Sequence, residues 1–132
     1  MKKFMMVAIT LIATTVINAQ ELKYNDLQTE LSSKQYESYV AQNGNVYKVG
    51  DKIRIGLPSD GRNYVFIQHV DPVTGASPVT AGYAGREVEV KKIQVQGSKK
   101  KGYKVWVITN GGIALAKLYF DIEFALEVKE VR

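Results

Sequence analysis

Arg86 to Gly112 reads REVEVKKIQVQGSKKKGYKVWVITNGG, and this stretch decides the fold. Val88 and Val90 alternate with Glu87, Glu89 and Lys91, the period-two pattern of a strand with one buried face. Lys92 stands where alternation expects an apolar residue, and the apolar set resumes at Ile93 and Val95. This slip of phase predicts a β-bulge at Lys91-Lys92, a device that bends a long strand as small barrels require. Gly97 to Gly102 is a hairpin tip. Tyr103 to Thr109 is the return strand, apolar on both faces around Val105 to Ile108, which places Trp106 in the core. Asn110-Gly111-Gly112 is a hairpin turn, and Ile113 to Tyr119 forms the next strand.

Working outward, Asp51 to Leu57 (DKIRIGL) alternates again, with Ile53, Ile55 and Leu57 on one face. Pro58-Ser59-Asp60-Gly61 ends it with turn chemistry. Asn63 to Val70 (NYVFIQHV) is rich in β-branched and aromatic residues and reads as a strand. Asp71 to Gly85 holds two of the three prolines and reads as a longer loop. At the far end, Asp121 is placed to cap a short helix running through Glu127. Residues 20–44 read as a helical or loosely ordered arm. Its short helix is expected near Asp26 to Ser32, with Asn25 as cap and Gln28 in the reciprocal position. The fold class is therefore mainly β: a small SH3-like or OB-like barrel or rolled antiparallel sheet over residues 45–132, with a short helix at each end. The sequential hairpins favour the SH3-like arrangement.

Residues 1–19 have another character. Lys2 and Lys3 precede an apolar run from Phe4 to Ile17, and Ala19 offers a small residue before Gln20. This is the plan of a secretory signal peptide, and the run is too short to span a bilayer comfortably. Loss of these 19 of 132 residues leaves 113, the size of one domain. The formal charge of +5 then falls, because removing Lys2 and Lys3 takes 18 basic residues to 16 against 13 acidic ones, a net of +3. Such a balance is ordinary and does not by itself point to nucleic acid. The chain has no cysteine, so neither disulfides nor thiolate zinc sites contribute. The expected setting is the bacterial periplasm or the secreted fraction, with no stable membrane insertion after cleavage.

Three segments carry a resemblance: YKVGDKIRIGLPS (Tyr47 to Ser59), VEVKKIQVQG (Val88 to Gly97) and YFDIEFALEVKEV (Tyr119 to Val131). In these the chain resembles a group of small exported proteins of Bacteroides-type bacteria. The shared positions are turns and core strand residues, and the group has no established activity. The resemblance implies export and bacterial origin and supplies no functional residues. Relatives tend to close on a Gly-Glu-Ile-like sequence. Val128-Lys129-Glu130-Val131 lacks that glycine, which leaves the end of the last helix open.

Candidate chemistry is sparse. His69 is the single histidine, with Asp71 two residues on. A carboxylate-oriented histidine can act as a general base, but no G-x-S-x-G or related nucleophile motif accompanies it. Glu87 and Glu89 are paired carboxylates that also suit a solvated strand edge. Asp121, Glu123 and Glu127 have the same plain reading, and a metal site is not expected from this donor set. Gly44, Gly50, Gly56 and Gly61 lack the spacing of a phosphate loop and read as turn and bulge glycines. The sharpest positive feature is a basic hairpin: Lys91, Lys92, Lys99, Lys100, Lys101 and Lys104, with Tyr103 and Trp106 beside them. Lysines mixed with aromatics can hold anionic polymers; lysines also guard a strand edge against aggregation.

These readings converge on an exported, non-enzymatic β-domain without cofactor, a binding, accessory or scaffold module of the cell envelope. Its partner would be an envelope protein or an anionic polymer. The alternatives are a binder of lipopolysaccharide phosphate, acidic glycan or nucleic acid through the lysine hairpin, and a small hydrolase using His69. Processing between Ala19 and Gln20 is the first expected outcome: intact-mass measurement of the exported protein should show the loss of residues 1–19.

Overall fold

The computed structural model describes residues 20–112 and 115–132. The expected signal peptide and the first two residues of the expected strand at Ile113 lie outside them. The described chain is mainly β. Its strands are β1 (Glu21–Lys23), β2 (Gln35–Tyr36), β3 (Ser38–Val40), β4 (Val46–Lys48), β5 (Lys52–Arg54), β6 (Asn63–Asp71), β7 (Gly75–Thr80), β8 (Glu87–Ser98), β9 (Gly102–Thr109) and β10 (Lys117–Asp121). One α-helix, α1 (Ile122–Glu127), follows β10, as the sequence led us to expect.

The larger sheet has the order β2-β8-β9-β10-β6-β7, with β5 also joined to β8. β8 is the longest strand and carries the bulge at the expected place. Val90 pairs with Thr109 and Lys92 with Ile108, leaving Lys91 as the extra residue. The two halves of β8 meet different partners on their second side, β5 at Val88 and β2 at Ile93. Val88, Val90, Ile93, Val95, Val105, Val107, Ile53 and Ile55 are all buried, and the half-buried Phe66 packs against them.

Among the described residues this sheet is not a closed barrel. Its path ends at β7, whose side chains are exposed at five of six positions. The segment expected to be one long loop from Asp71 to Gly85 is in fact a hairpin arm, because the Asp71 carboxylate accepts the Val73 amide (2.7 Å) and the Thr74 amide (3.1 Å) and turns the chain back into β7. Pro78 has no N–H to offer a further strand, so it is at home in this outermost position.

The N-terminal arm also differs from expectation. The helix placed at Asp26–Ser32 is a five-residue 3-10 turn at Tyr24–Gln28, and its reciprocal cap is Lys23 with Asp26, not Asn25 with Gln28. Much of the arm is strand. β1 runs parallel to β3, β4 is antiparallel to it, and the three form a second sheet. Leu22, Tyr39, Ala41 and Tyr47 from this sheet sit in the same core as the large sheet. Alternation over three-residue strands is too short to be read against helical spacing, which is why the sequence misled. The Tyr39 hydroxyl donates to the Glu123 carboxylate of α1, and the Gln42 amide donates to the same oxygen at 3.1 Å. Burial, reinforced by Glu123, holds the Tyr39 phenol well above its ordinary range.

The C-terminal close ties these parts together. Helix α1 ends with Lys129 in the left-handed region (φ 64°). The Glu130 amide reaches back to the Ala125 carbonyl (2.8 Å) and the Lys129 amide to Leu126 (3.2 Å), the paired bonds of a Schellman ending. The turn that glycine makes most cheaply is made here by lysine. Val131 then bridges Ile55, and the Arg132 amide donates to the Arg54 carbonyl at 2.9 Å. Gly56 lies under this segment: a Cβ there would sit 2.4 Å from the Lys129 carbonyl oxygen. It is a close-approach glycine, not the turn or bulge glycine expected.

Glu130 is fully buried. One carboxylate oxygen accepts the Ser59 amide (3.0 Å), the Ser59 hydroxyl (2.7 Å) and the Val65 amide (2.8 Å); the other accepts the Phe66 amide (2.8 Å). Val65 and Phe66 are consecutive, and their amides point the same way because β6 is irregular between Asn63 and Gln68. No Lys or Arg pairs with Glu130 among the described residues. Glu130→Gln should destabilise the domain by about 1–3 kcal/mol, since the amide carbonyl keeps the three donors that share one oxygen while its NH₂ faces the Phe66 amide and leaves that donor unsatisfied. Lys129→Gly should stabilise it by about 1 kcal/mol by relieving the left-handed backbone. Urea melts of both variants check this opposed pair.

Candidate functional site: the lysine hairpin

The β8–β9 hairpin holds Val95 opposite Val105, Gln96 opposite Lys104, Gly97 opposite Tyr103 and Ser98 opposite Gly102. Its tip is closed by the Ser98 hydroxyl, which accepts the Lys101 amide at 3.1 Å. Gly97 is required for the tight approach. Its φ is 110°, and a Cβ would meet the Gly102 carbonyl oxygen at 2.2 Å. The tip is further anchored through Tyr103, whose hydroxyl accepts the Leu31 amide at 3.2 Å.

The six candidate lysines are all exposed but fall into two groups. Lys91 pairs with Glu89 at 3.3 Å, and Lys104 pairs with Asp121 at 3.2 Å. Asp121 is nearly buried. Burial raises its carboxyl above the ordinary range, and the Lys104 ammonium opposes the shift. Asp121 caps α1 by position, yet its side chain goes to Lys104 and not to the helix amides. Lys92, Lys99, Lys100 and Lys101 make no ion pair among the described residues. Three of these four uncompensated charges stand consecutively at the tip.

The aromatic neighbours also divide. Tyr103 is half-buried and its hydroxyl is committed to Leu31, so it braces the hairpin. A groove of about 370 Å³ runs beside it, lined by Tyr24, Leu27, Gln28, Lys99, Gly102 and Tyr103. Trp106 is not in the core, as its apolar neighbours had implied. Val105 and Val107 take the inward positions, and alternation turns Trp106 to the opposite face, where it is partly exposed. Its indole donates to the Gln96 side chain at 2.9 Å and meets the Tyr119 ring edge-on at 6.1 Å, while the Lys104 ammonium lies 5.4 Å from its centroid. Lys117 stands on this same face, two residues from Tyr119. It escaped the sequence reading because only the strand register brings β10 beside the hairpin.

His69 lies between Leu118 and Ser77 in the sheet, and the Ser77 hydroxyl donates to the His69 carbonyl at 3.5 Å. Asp71 is engaged by the turn amides, which hold its carboxyl below the usual range. Glu87 pairs with Arg54 at 3.6 Å and Glu89 with Lys91. Glu123 serves Tyr39 and Gln42. Gly44, Gly50 and Gly61 are turn glycines with positive φ. Among the described residues no group of three or more His, Asp or Glu could hold a metal ion, and no helix is long and apolar enough to cross a membrane.

Compared with known proteins, the chain matches no family model, no characterised protein and no solved structure.

Proposed function

We propose that the chain is an exported, non-enzymatic binding or accessory module of the bacterial envelope, periplasmic or secreted, that contacts anionic ligands through the β8–β9 hairpin tip. The observation that carries this is the tip itself: Lys99, Lys100 and Lys101 project, without ion-pair partners among the described residues, from a hairpin fixed by Ser98, Gly97 and Tyr103. Three exposed lysines attract lipopolysaccharide phosphates or acidic glycans by charge, without a shaped cleft. Export is supported by the pattern of residues 1–19 and by the resemblance to small exported Bacteroides-type proteins. The hydrolase alternative has less support, since no G-x-S-x-G or related nucleophile motif accompanies His69. For architecture, an SH3-like roll is preferred to an OB-like one on the sequential β8-β9-β10 meander and the bend at Lys91.

Exposed charges are screened within about 10 Å at 0.1 M salt. Binding of the mature domain to heparin or lipopolysaccharide should therefore be weak, non-selective and markedly weaker at high salt. Replacing Lys99, Lys100 and Lys101 together with Gln should lower affinity while leaving the urea midpoint unchanged. Titration at two salt concentrations checks this. Tight binding that ignores salt and survives the triple replacement would overturn the reading.

A further inference from the structure

The outward face of the large sheet carries a constellation that the tip does not use. Register places Lys92 opposite Ile108, Ile108 opposite Tyr119 and Tyr119 opposite Gln68, in one row across four strands. The next row pairs Gln94 with Trp106 and Trp106 with Asp121, whose carboxylate is met by Lys104. Lys117 follows two residues from Tyr119 on β10. Lys92, Gln68 and Lys117 are exposed, Trp106, Tyr119 and Gln94 are partly exposed, and Ile108 between them is buried. The two rings are fixed in an edge-to-face pair, 62° between planes, with the indole tied to Gln96. They are preorganised, so little side-chain freedom is lost on contact. Lys92 and Lys117 stand on strands about 10 Å apart, flanking the rings, and neither has an ion-pair partner among the described residues.

We propose that this face is a second binding surface, for an acidic polysaccharide laid across the strands. The proposal rests on the reading of the chain as a binding module but not on the hairpin tip. A sugar ring has an apolar C–H face, and the negative face of an aromatic ring is its complement. Gln68 and Gln94 make no side-chain hydrogen bonds among the described residues and offer amides to hydroxyls. Lys92 and Lys117 meet carboxylates. Single-stranded nucleic acid carries a charge at every unit and favours a basic groove with successive stacking platforms. This face has one aromatic pair and, among the described residues, two uncompensated lysines, which is the balance of a polyhydroxylated chain bearing carboxylates.

Trp106 is the sole tryptophan of the chain, so its emission reports on this surface directly. The probes are polygalacturonate, dextran and single-stranded DNA, added to the mature domain with binding followed by both emission and calorimetry. Polygalacturonate should change the Trp106 emission, dextran should not at equal concentration, and salt should weaken the effect. Lys92→Gln with Lys117→Gln should weaken polygalacturonate binding about fivefold, which is about 1 kcal/mol for the two exposed pairs together. Both positions are exposed, and an unchanged urea midpoint confirms that the variant is folded. The triple tip replacement should leave the emission response in place. Polygalacturonate binding with unmoved emission, or binding indifferent to Lys92 and Lys117, overturns this inference and leaves the tip reading standing. A stronger emission response to DNA than to polygalacturonate overturns it in favour of nucleic acid.

Discussion

The structure depends on one buried carboxylate. Glu130 sits where the C-terminal segment passes between the turn at Ser59 and the irregular start of β6, and it satisfies three backbone amides and a hydroxyl that strand pairing leaves over. A carboxylate without a cation is costly to bury unless its lone pairs are filled, and here they are. The same residue makes two main-chain bonds, accepting Gly56 and donating to Ala125. Helix, strand end and turn therefore meet at a single side chain, and Val131 and Arg132 follow it onto β5's continuation. Gly56 and Lys129 are consequences of that approach: one because no side chain fits beneath, the other because the chain must turn left-handed to enter.

What could be read from the sequence was whatever repeats with period two over enough residues. β8 and β9 are twelve and eight residues long, so their alternation, their bulge and their inward valines were all visible. Trp106 was misplaced because a run of apolar residues hides which of them points inward; only the pairing with β8 decides it. β1, β3 and β4 span three residues each and have no periodicity to detect. β7 was lost because Pro78 argues against a strand, although an outermost strand tolerates it. Glu130 gave no signal at all, since its ligands lie 64 to 71 residues away.

The lysine hairpin shows how little a cluster in sequence says about charge in space. Six lysines lie within fourteen positions, yet two are compensated and one of these, Lys104, supports a nearly buried aspartate. Strand register, not sequence proximity, gathers Lys92 and Lys117 about Trp106 and Tyr119. The free charge is thereby split between a flexible-headed tip and a flat aromatic face, two environments that treat an anion differently: the first by field alone, the second by field and contact.

The long reach of Glu130 also bears on how the chain acquires its structure. The β6–β7 and β8–β9 hairpins close over short loops, whereas Glu130 must find Ser59 and Phe66 across most of the domain, and distant closure is entropically slow. Hairpins forming first and the C-terminal close forming last is the order that topology favours. Contacts made after the rate-limiting barrier affect how fast a protein falls apart more than how fast it assembles. The Glu130 close therefore acts as a latch on lifetime: it governs how long the folded domain persists between openings, while the speed of folding belongs to the sheet.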